Sequence, residues 1–235
     1  TPVQLAQQVY DCEVKFHPAT ALAANVALLS LNTIPNTQWQ NQNDWLFGAT
    51  SGTFENDYPN LGIPPLTLED GPEGIKFAKP GNSPTLYPNE MALAATFDPK
   101  VAQTVGATMA AEATSMGFQG MQIPDLNIAR LPNWGRIMES FGENPTLAGL
   151  LGAGEVQGAL SQSPFVVMKH FGPYGQESDR RVLNITVGTG PLFNNYLRPF
   201  AMALAAGQSV KSQGIMVMCS YGNINFQHVC TAPVL

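Results

Sequence analysis

Lys169 and His170 stand side by side after an apolar run in the stretch VVMKHFGPYGQESDRR, residues 166–181. An ammonium group and an imidazole together supply donors and an acceptor for a polar ligand. Neighbouring residues of a regular strand point to opposite faces, so a local twist is needed for both to reach one ligand. A buried lysine also needs an anionic partner, and Asp70 in the loop LEDGP is a candidate.

Other chemistries find little support in the sequence. His17, His170 and His228 lack metal-ligand spacing, and no CxxC pair is present. Phosphate-binding and dinucleotide-binding glycine motifs are absent, and so is a GxSxG nucleophile turn. The sequence therefore predicts neither a metal site nor a cofactor.

The amino-acid composition limits the kinds of molecule that this chain is expected to bind. Only 12% of the 235 residues are charged, about half the usual share, while 44% are apolar. The formal net charge of -6 argues against nucleic acid or an anionic membrane as the main partner, and no apolar run approaches the roughly 18 residues of a membrane span. Low charge, many amides and a start at TPVQLAQQ without methionine predict a secreted protein that handles neutral polar ligands.

The elements that must position these residues alternate between strand and helix. Strands that run into loops are predicted at 61–74 and 118–130, and further strands at 164–171 and 214–225. Helices are predicted at 2–30, 98–117, 144–160 and 191–207. Polar residues gather where the strands end: Asp70, Asn127 with Arg130, Lys169 with His170, and Tyr221 with Asn223. Because parallel strands bring their carboxyl ends to one edge, this pattern predicts a βα barrel, with an open doubly wound sheet as the alternative.

Long motifs resemble the N-terminal barrel of glycoside hydrolase family 3, the β-glucosidase and β-xylosidase family. They are LGIPPLTLEDGPEGI (61–75), ALAATFDP (92–99), IPDLNIARLPNWGRIMESFGENPTLAG (123–149), VVMKHF (166–171), FNNYLRPFAMALAAG (193–207) and VMCSYGNIN (217–225). The resemblance implies an α/β fold, a (β/α)8 TIM-like barrel that is incomplete at its C-terminal end in this chain. Residues 61–235 would form the partial barrel, and residues 1–60 a divergent segment that packs on it.

The same resemblance assigns a first sugar subsite. Its substrate-binding residues fall on Asp70, Arg136, Lys169, His170, Tyr221 and an arginine about ten positions after the histidine, where Arg180 and Arg181 both qualify. The DGP form at Asp70 resembles the glucosidases more than the xylosidases. The loop KHFGPYGQESD lacks the acid/base histidine of the family's N-acetylglucosaminidases.

Retaining glycoside hydrolysis needs two carboxyl groups, one as nucleophile and one as acid/base. By resemblance, the nucleophilic aspartate and the acid/base glutamate are expected beyond Leu235, so the chain is predicted to be catalytically incomplete by itself. Its expected partner is the remainder of the same enzyme, as a second chain or a missing C-terminal part. The predicted function is part of a secreted retaining β-glucosidase acting on terminal non-reducing β-D-glucosyl residues. The alternatives are a non-catalytic sugar-binding or structural fragment and, among enzymes, a β-xylosidase.

Three cysteines and one glycosylation sequon are relevant to whether the protein is secreted. Cys219 and Cys230 flank a turn-like segment and could form a local disulfide, which leaves Cys12 over. The resemblance matches this pair to cysteines of secreted eukaryotic members. Asn184-Ile185-Thr186 is a glycosylation sequon, whereas Asn144 is followed by proline, which blocks its use.

Overall fold

The computed structural model describes residues 53–54, 66–76, 83–210 and 214–233. The chain divides into two units, Thr1–Leu68 and Glu69–Leu235. In the smaller unit, strand β1 (Thr53–Phe54) pairs antiparallel with the start of strand β2 (Leu66–Asp70). The predicted helix at 2–30 and the packing of residues 1–60 lie outside the described residues.

The larger unit contains the parallel sheet that the sequence predicts. The order within it is the end of β2, then β3 (Gly120–Gln122), β4 (Phe165–Phe171) and β6 (Gly214–Cys219). The β3–β4 and β4–β6 pairs are both parallel. A second, small sheet joins β5 (Asn184–Ile185), β7 (Asn223–Ile224) and β8 (Gln227–His228).

Helices supply the crossovers between the parallel strands. They are α1 (Glu90–Ala94), α2 (Pro99–Ser115), α3 (Pro145–Leu160) and α4 (Arg198–Gln208), with 3-10 turns at Ile137–Glu139 and Val229–Thr231. A helical turn at Thr189–Pro191 and a π-helical segment at Leu192–Tyr196 precede α4. In the part of the chain described, no helix combines the length and apolarity that a membrane crossing requires.

The two long helices begin as their sequences predict. Asp98 caps α2 and Asn144 caps α3, each side chain accepting from the amide two residues on at 2.9 Å. Pro99 and Pro145 occupy the first helical positions, where a missing amide hydrogen costs nothing. Gly117 follows α2 with a φ of 91°, a conformation that favours glycine.

Glycines bring α2 and α3 into backbone contact. A Cβ atom at Gly158 would lie 1.9 Å from the carbonyl oxygen of Gln103, and one at Gly154 would lie 2.3 Å from that of Pro99. Gly106 on α2 approaches the α3 backbone in the same way. The two helices therefore form a closely packed layer behind the sheet.

The main core lies between this helical layer and the sheet. Its members include Met121 from β3, Val166 and Met168 from β4, Leu151 from α3 and Phe200 from α4. Burial of such apolar side chains supplies the main driving force for folding. Consecutive residues of β4 from Phe165 to His170 are all buried, so both faces of the strand are covered, as its apolar run predicts.

A separate apolar cluster underlies the small sheet. It comprises Leu192, Leu197, Ile224, Val229 and Ala232. Cys219 packs against this cluster and is joined to Cys230 by a disulfide, with 5.5 Å between their Cα atoms. The disulfide that the sequence allows is therefore present in the structure.

Two predicted segments are refined by the structure. The segment predicted at 118–130 as a strand running into a loop is regular at Gly120–Gln122, and an isolated bridge between Asp125 and Lys169 continues its contact with β4. The helix predicted at 191–207 begins as the π-helical segment Leu192–Tyr196 and becomes α-helical from Arg198. Pro199 sits in the first turn of α4, where its missing amide hydrogen is tolerated.

Candidate functional site

An ion pair between Lys169 and Asp70 forms the centre of the candidate site. Lys169 lies near the end of β4 with 1% of its side chain exposed, and its ammonium contacts Asp70 at the end of β2. Burial alone would raise the pKa of Asp70, but the charges of Lys169 and Lys76 outweigh it, and the pKa lies well below the ordinary value. Asp70 is thus a carboxylate, able to accept hydroxyl protons.

Lys169 and His170 are both buried although they are neighbours in a strand. The pairing register between β4 and β6 shifts between Met168 and Phe171, so the strict alternation of side chains stops at this point of β4. From the sequence, both side chains could reach one ligand only if the strand were locally irregular. The structure contains that irregularity.

The ring nitrogens of His170 face two charged groups. Nε2 lies 3.1 Å from Nη1 of Arg136, and Nδ1 lies 3.2 Å from a carboxylate oxygen of Asp125. A guanidinium can only donate, so Nε2 accepts and the ring proton lies on Nδ1, towards Asp125. Burial lowers the pKa of His170 more than Asp125 raises it, so the imidazole is neutral near pH 7.

Arg136 is fixed by a two-point contact with Glu139. Its Nε and Nη2 donate to the two carboxylate oxygens at 2.9 and 2.5 Å. Burial opposes the charge of Arg136, but Glu139 and Asp125 raise its pKa above the ordinary value. With Nη1 directed at His170, this guanidinium is held in one orientation.

Asn127 holds the end of β4 through its side-chain amide. Its Nδ2 donates to the carbonyl oxygens of His170 and Gly172, each at 2.9 Å, and its Oδ1 accepts from the amide of His170 at 3.0 Å. The sequence marked Asn127 as polar at a strand end but did not include it among the site residues. The neighbouring Arg130, marked with it, is exposed.

The structure distinguishes the two candidate arginines. The guanidinium carbon of Arg180 lies 4.2 Å from the ring centroid of Tyr221, while Arg181 is exposed. Nη1 of Arg180 donates to Glu177 at 2.7 Å. Arg180, rather than Arg181, therefore joins the other predicted site residues.

Aromatic rings cluster around Tyr174 in the site. Tyr174 is buried, with its ring centroid 5.0 Å from that of His170, 5.7 Å from that of Tyr221 and 5.5 Å from that of Trp134. These are ordinary distances for tilted and edge-on aromatic pairs. Sequence reasoning missed Tyr174, although a tyrosine inside a glycine- and proline-rich loop was a signal that could have found it.

Three carboxyl groups are buried behind this assembly: Glu90, Asp125 and Glu155. One oxygen of Glu90 accepts from the amide of Asp125 at 2.8 Å. Among the described residues, the other oxygen of Glu90 and both oxygens of Glu155 have no hydrogen-bond partner. Burial raises the pKa of Glu155 to about 8 and, together with repulsion from Glu155, raises that of Glu90 well above its ordinary value.

The arrangement suits a neutral ligand rich in hydroxyl groups. Asp70 supplies a charged acceptor, Lys169 and Arg180 supply charged donors, and Tyr221 supplies an aromatic surface. His170 is buried with both nitrogens facing protein groups, so a ligand hydroxyl reaches Nε2 only by replacing Arg136. Within the described ranges, no group of three or more histidine, cysteine, aspartate or glutamate residues is placed to hold a metal ion.

The predicted glycosylation residue lies in β5, away from these contacts. Oδ1 of Asn184 accepts from the amide of Phe226 at 2.6 Å, and Nδ2 donates to the hydroxyl of Thr186 at 3.2 Å. The Asn184 side chain therefore joins β5 to the turn between β7 and β8. Whether it carries a glycan stays a prediction, as do the sugar-binding roles of the six predicted residues.

Curated relatives of this chain carry β-glucosidase names. It is 34% identical over 174 residues to beta-glucosidase B of Emericella nidulans, covering 73% of this chain and 20% of that protein. It is 36% identical over 179 residues to a putative beta-glucosidase of Schizosaccharomyces pombe, covering 75% and 21%. The chain thus spans about a fifth of the length of these curated relatives.

Solved structures with the same fold include two glucose complexes. The beta-glucosidase of Kluyveromyces marxianus with glucose matches with a TM-score of 0.69 and 32% identity, covering 74% of this chain and 21% of that one. Beta-glucosidase 3B of Thermotoga neapolitana with alpha-D-glucose matches with a TM-score of 0.68 and 28% identity, covering 77% and 26%. The fold is therefore part of a TIM-like barrel, as predicted, and the alternative of an open doubly wound sheet is excluded.

The family profile described as "Glycosyl hydrolase family 3 N terminal domain" matches residues 16–232. The match includes much of the segment 1–60 that was expected to diverge, and the predicted boundary at residue 60 stays a prediction. The profile, the named relatives and the shared fold agree with the strand-end chemistry. The chain belongs to glycosyl hydrolase family 3 and represents part of its N-terminal barrel.

Proposed function

We propose that this chain forms the first-subsite sugar-binding wall of a retaining β-glucosidase that hydrolyses terminal non-reducing β-D-glucosyl residues. The β-glucosidase names of the relatives support this activity. Two related solved structures contain glucose, which supports glucose as the sugar that this site binds.

The buried ion pair of Lys169 and Asp70 is the observation that carries the proposal. A monosaccharide presents hydroxyl groups that donate and accept at fixed angles, so its binding site needs charged acceptors and donors held in place. Asp70 is such an acceptor, and Lys169 and Arg180 are such donors. Tyr221 lies beside Arg180 and offers an apolar face to the ring carbons of the sugar.

We further propose that polypeptide beyond Leu235 supplies both reacting carboxyl groups. A retaining mechanism places a nucleophile and an acid/base about 5–5.5 Å apart. The carboxylates described here in the site are engaged otherwise: Asp70 by Lys169, Glu139 by Arg136, and Glu177 by Arg180. This chain would hold the sugar while the remainder of the enzyme, as continuing or separate polypeptide, attacks and protonates it.

Replacement of Lys169 tests the sugar-binding role. In Lys169→Met the buried ammonium is lost, and we expect glucose affinity in the complete enzyme to fall by about 10- to 100-fold, as for loss of a charged hydrogen bond. Lys100→Met on the exposed face of α2 is the matched control and should bind like the parent. Unchanged glucose binding in Lys169→Met, measured by titration calorimetry, would contradict the proposal.

Hydrolysis of aryl glycosides tests the activity and the sugar. The complete enzyme should release the aryl group from an aryl β-glucoside faster than from the β-xyloside, and the reverse preference would identify a β-xylosidase. The 235-residue chain alone should be inactive on both. Activity from the isolated chain would show that the nucleophile lies within it.

A second candidate function is a non-catalytic sugar-binding fragment of the same fold. The same engagement of the described site carboxylates by lysine and arginine favours it. Glucose binding without hydrolysis by any preparation that contains the chain would support this alternative over the enzyme.

We also propose that the chain is secreted and carries a glycan on Asn184. The Cys219–Cys230 disulfide supports this proposal, because disulfides persist in oxidising compartments. Enzymatic removal of N-linked glycans from the natural protein should change the mass of the proteolytic peptide that contains Asn184. Asn184→Gln should abolish that mass change, and a change that persists in this variant would place the glycan elsewhere.

A further inference from the structure

We propose that Tyr174 is a positioning residue that sets the guanidinium of Arg180 for one sugar hydroxyl. The inference rests on the proposed sugar-binding function and adds to it a residue that is itself nearly inaccessible, with 3% of its surface exposed. Tyr174 would act through Arg180 rather than by touching the sugar.

The hydroxyl of Tyr174 links a carboxylate to the arginine. It donates to Oε1 of Glu177 at 2.5 Å and accepts from Nη1 of Arg180 at 3.3 Å. Burial and the hydrogen bond to Glu177 raise the pKa of Tyr174, so the hydroxyl keeps its proton throughout the working range. Burial would raise the pKa of Glu177, but bonds from Tyr174 and Trp134 outweigh it and keep the group ionised.

Protein groups bind one edge of the Arg180 guanidinium, and its other N–H groups are available to a ligand. Nη1 makes both contacts, to the Tyr174 hydroxyl and to Oε2 of Glu177. Within the described residues, Nε and Nη2 donate no hydrogen bond, and 23% of the side chain is exposed. The guanidinium lies over the Tyr221 ring, with its central carbon 4.2 Å from the ring centroid. These free N–H groups are suited to an accepting hydroxyl oxygen of the ligand.

The ring of Tyr174 is fixed independently of its hydroxyl. It contacts the rings of Trp134, His170 and Tyr221, and these contacts persist if only the oxygen is removed. Tyr174→Phe therefore tests the hydroxyl with little disturbance of packing. If positioning is its role, the loss should be confined to the hydroxyl that Arg180 binds.

The experiment measures binding of glucose and of its monodeoxy derivatives to the complete enzyme. Arg180→Ala first identifies the hydroxyl, because the sugar lacking it binds parent and variant alike. Tyr174→Phe should then weaken glucose binding by about 5-fold, as for one neutral hydrogen bond, and leave binding of that deoxy sugar unchanged. On the Arg180→Ala background, Tyr174→Phe should have no further effect.

Tyr196→Phe is the matched control, since Tyr196 packs against the separate cluster under the small sheet. It should bind every sugar like the parent. Equal weakening of all sugars by Tyr174→Phe, additive effects with Arg180→Ala, or no effect at all would each overturn the inference. Failure of the parent enzyme to bind glucose would instead refute the proposed function, so the two failures are distinguishable.

Discussion

Replacement of Glu155 by glutamine should remove a pH-dependent destabilisation of the folded chain. Glu155 is fully buried in α3, and burial raises its pKa from the ordinary 4.5 to about 8. The folded chain therefore keeps the proton over a pH range in which the unfolded chain has released it. Stability from this group is fully present below about pH 4.5 and is lost as the pH rises towards 8.

The size of the stability difference follows from the interval between the ordinary pKa of 4.5 and the raised pKa of about 8. Each pH unit across it is worth about 1.4 kcal/mol, so the ceiling is about 5 kcal/mol between pH 4.5 and 8. Glutamine cannot ionise and is close in shape to the protonated acid. Glu155→Gln should thus match the parent within about 1 kcal/mol at pH 5 and exceed its stability by up to about 5 kcal/mol at pH 8.

Urea unfolding at pH 5, 6.5 and 8 measures this difference. The useful quantity is the free energy of unfolding of the variant minus that of the parent, because groups remote from Glu155 contribute equally to the pH dependence of both. The difference reports Glu155 together with Glu90, whose pKa the charge of Glu155 raises. Glu143→Gln is the matched control, since Glu143 is exposed. A difference between Glu155→Gln and the parent that stays constant with pH would refute a buried, protonated Glu155.

Two further substitutions test the layers around the site. Gly158→Ala should lower the free energy of unfolding by about 1–3 kcal/mol, because the added Cβ would lie 1.9 Å from a backbone oxygen of α2. Gly190→Ala is the control and should leave the free energy of unfolding unchanged, since a Cβ there would have no atom within 4 Å. Asn127→Ala should cost about 2–4 kcal/mol in thermal or urea unfolding because it leaves three buried backbone groups unpaired. Asn127→Asp should cost nearly as much, since a carboxylate cannot donate to two carbonyl oxygens, and full stability in that variant would contradict the assigned contacts.

Much of the architecture follows from local sequence signals. Asp98 before Pro99 and Asn144 before Pro145 set the starts of the two long helices, and the apolar run before Lys169 sets β4. These signals are local because a cap bonds amides two or three residues away, and because a strand buried on both faces shows in the sequence as a continuous apolar run. The segment at 118–130 is a strand that runs into a loop, as predicted, and the residues after Gln122 bind β4 through one bridge and side-chain contacts instead of a continuous ladder.

The site was less completely predictable. Motif resemblance identified Asp70, Lys169 and His170, but spacing could not choose between Arg180 and Arg181, because the choice depends on where Glu177 and Tyr221 meet in space. The buried state of Glu155 had a signal that was missed. A helix that is apolar on nearly every side is buried, so a lone glutamate within it is buried too.

The amide of Asn127 reproduces, with side-chain atoms, the donor and acceptor of a peptide group. Main-chain pairing between the segment after β3 and β4 ends with the bond from the Leu126 amide to the Lys169 carbonyl at 2.7 Å, and Asn127 serves the backbone groups that come next. A side chain in this role imposes no pleat on the strand that it binds. The backbone of His170 at the end of β4 is thereby hydrogen-bonded yet released from two-residue periodicity, which lets adjacent residues share one site.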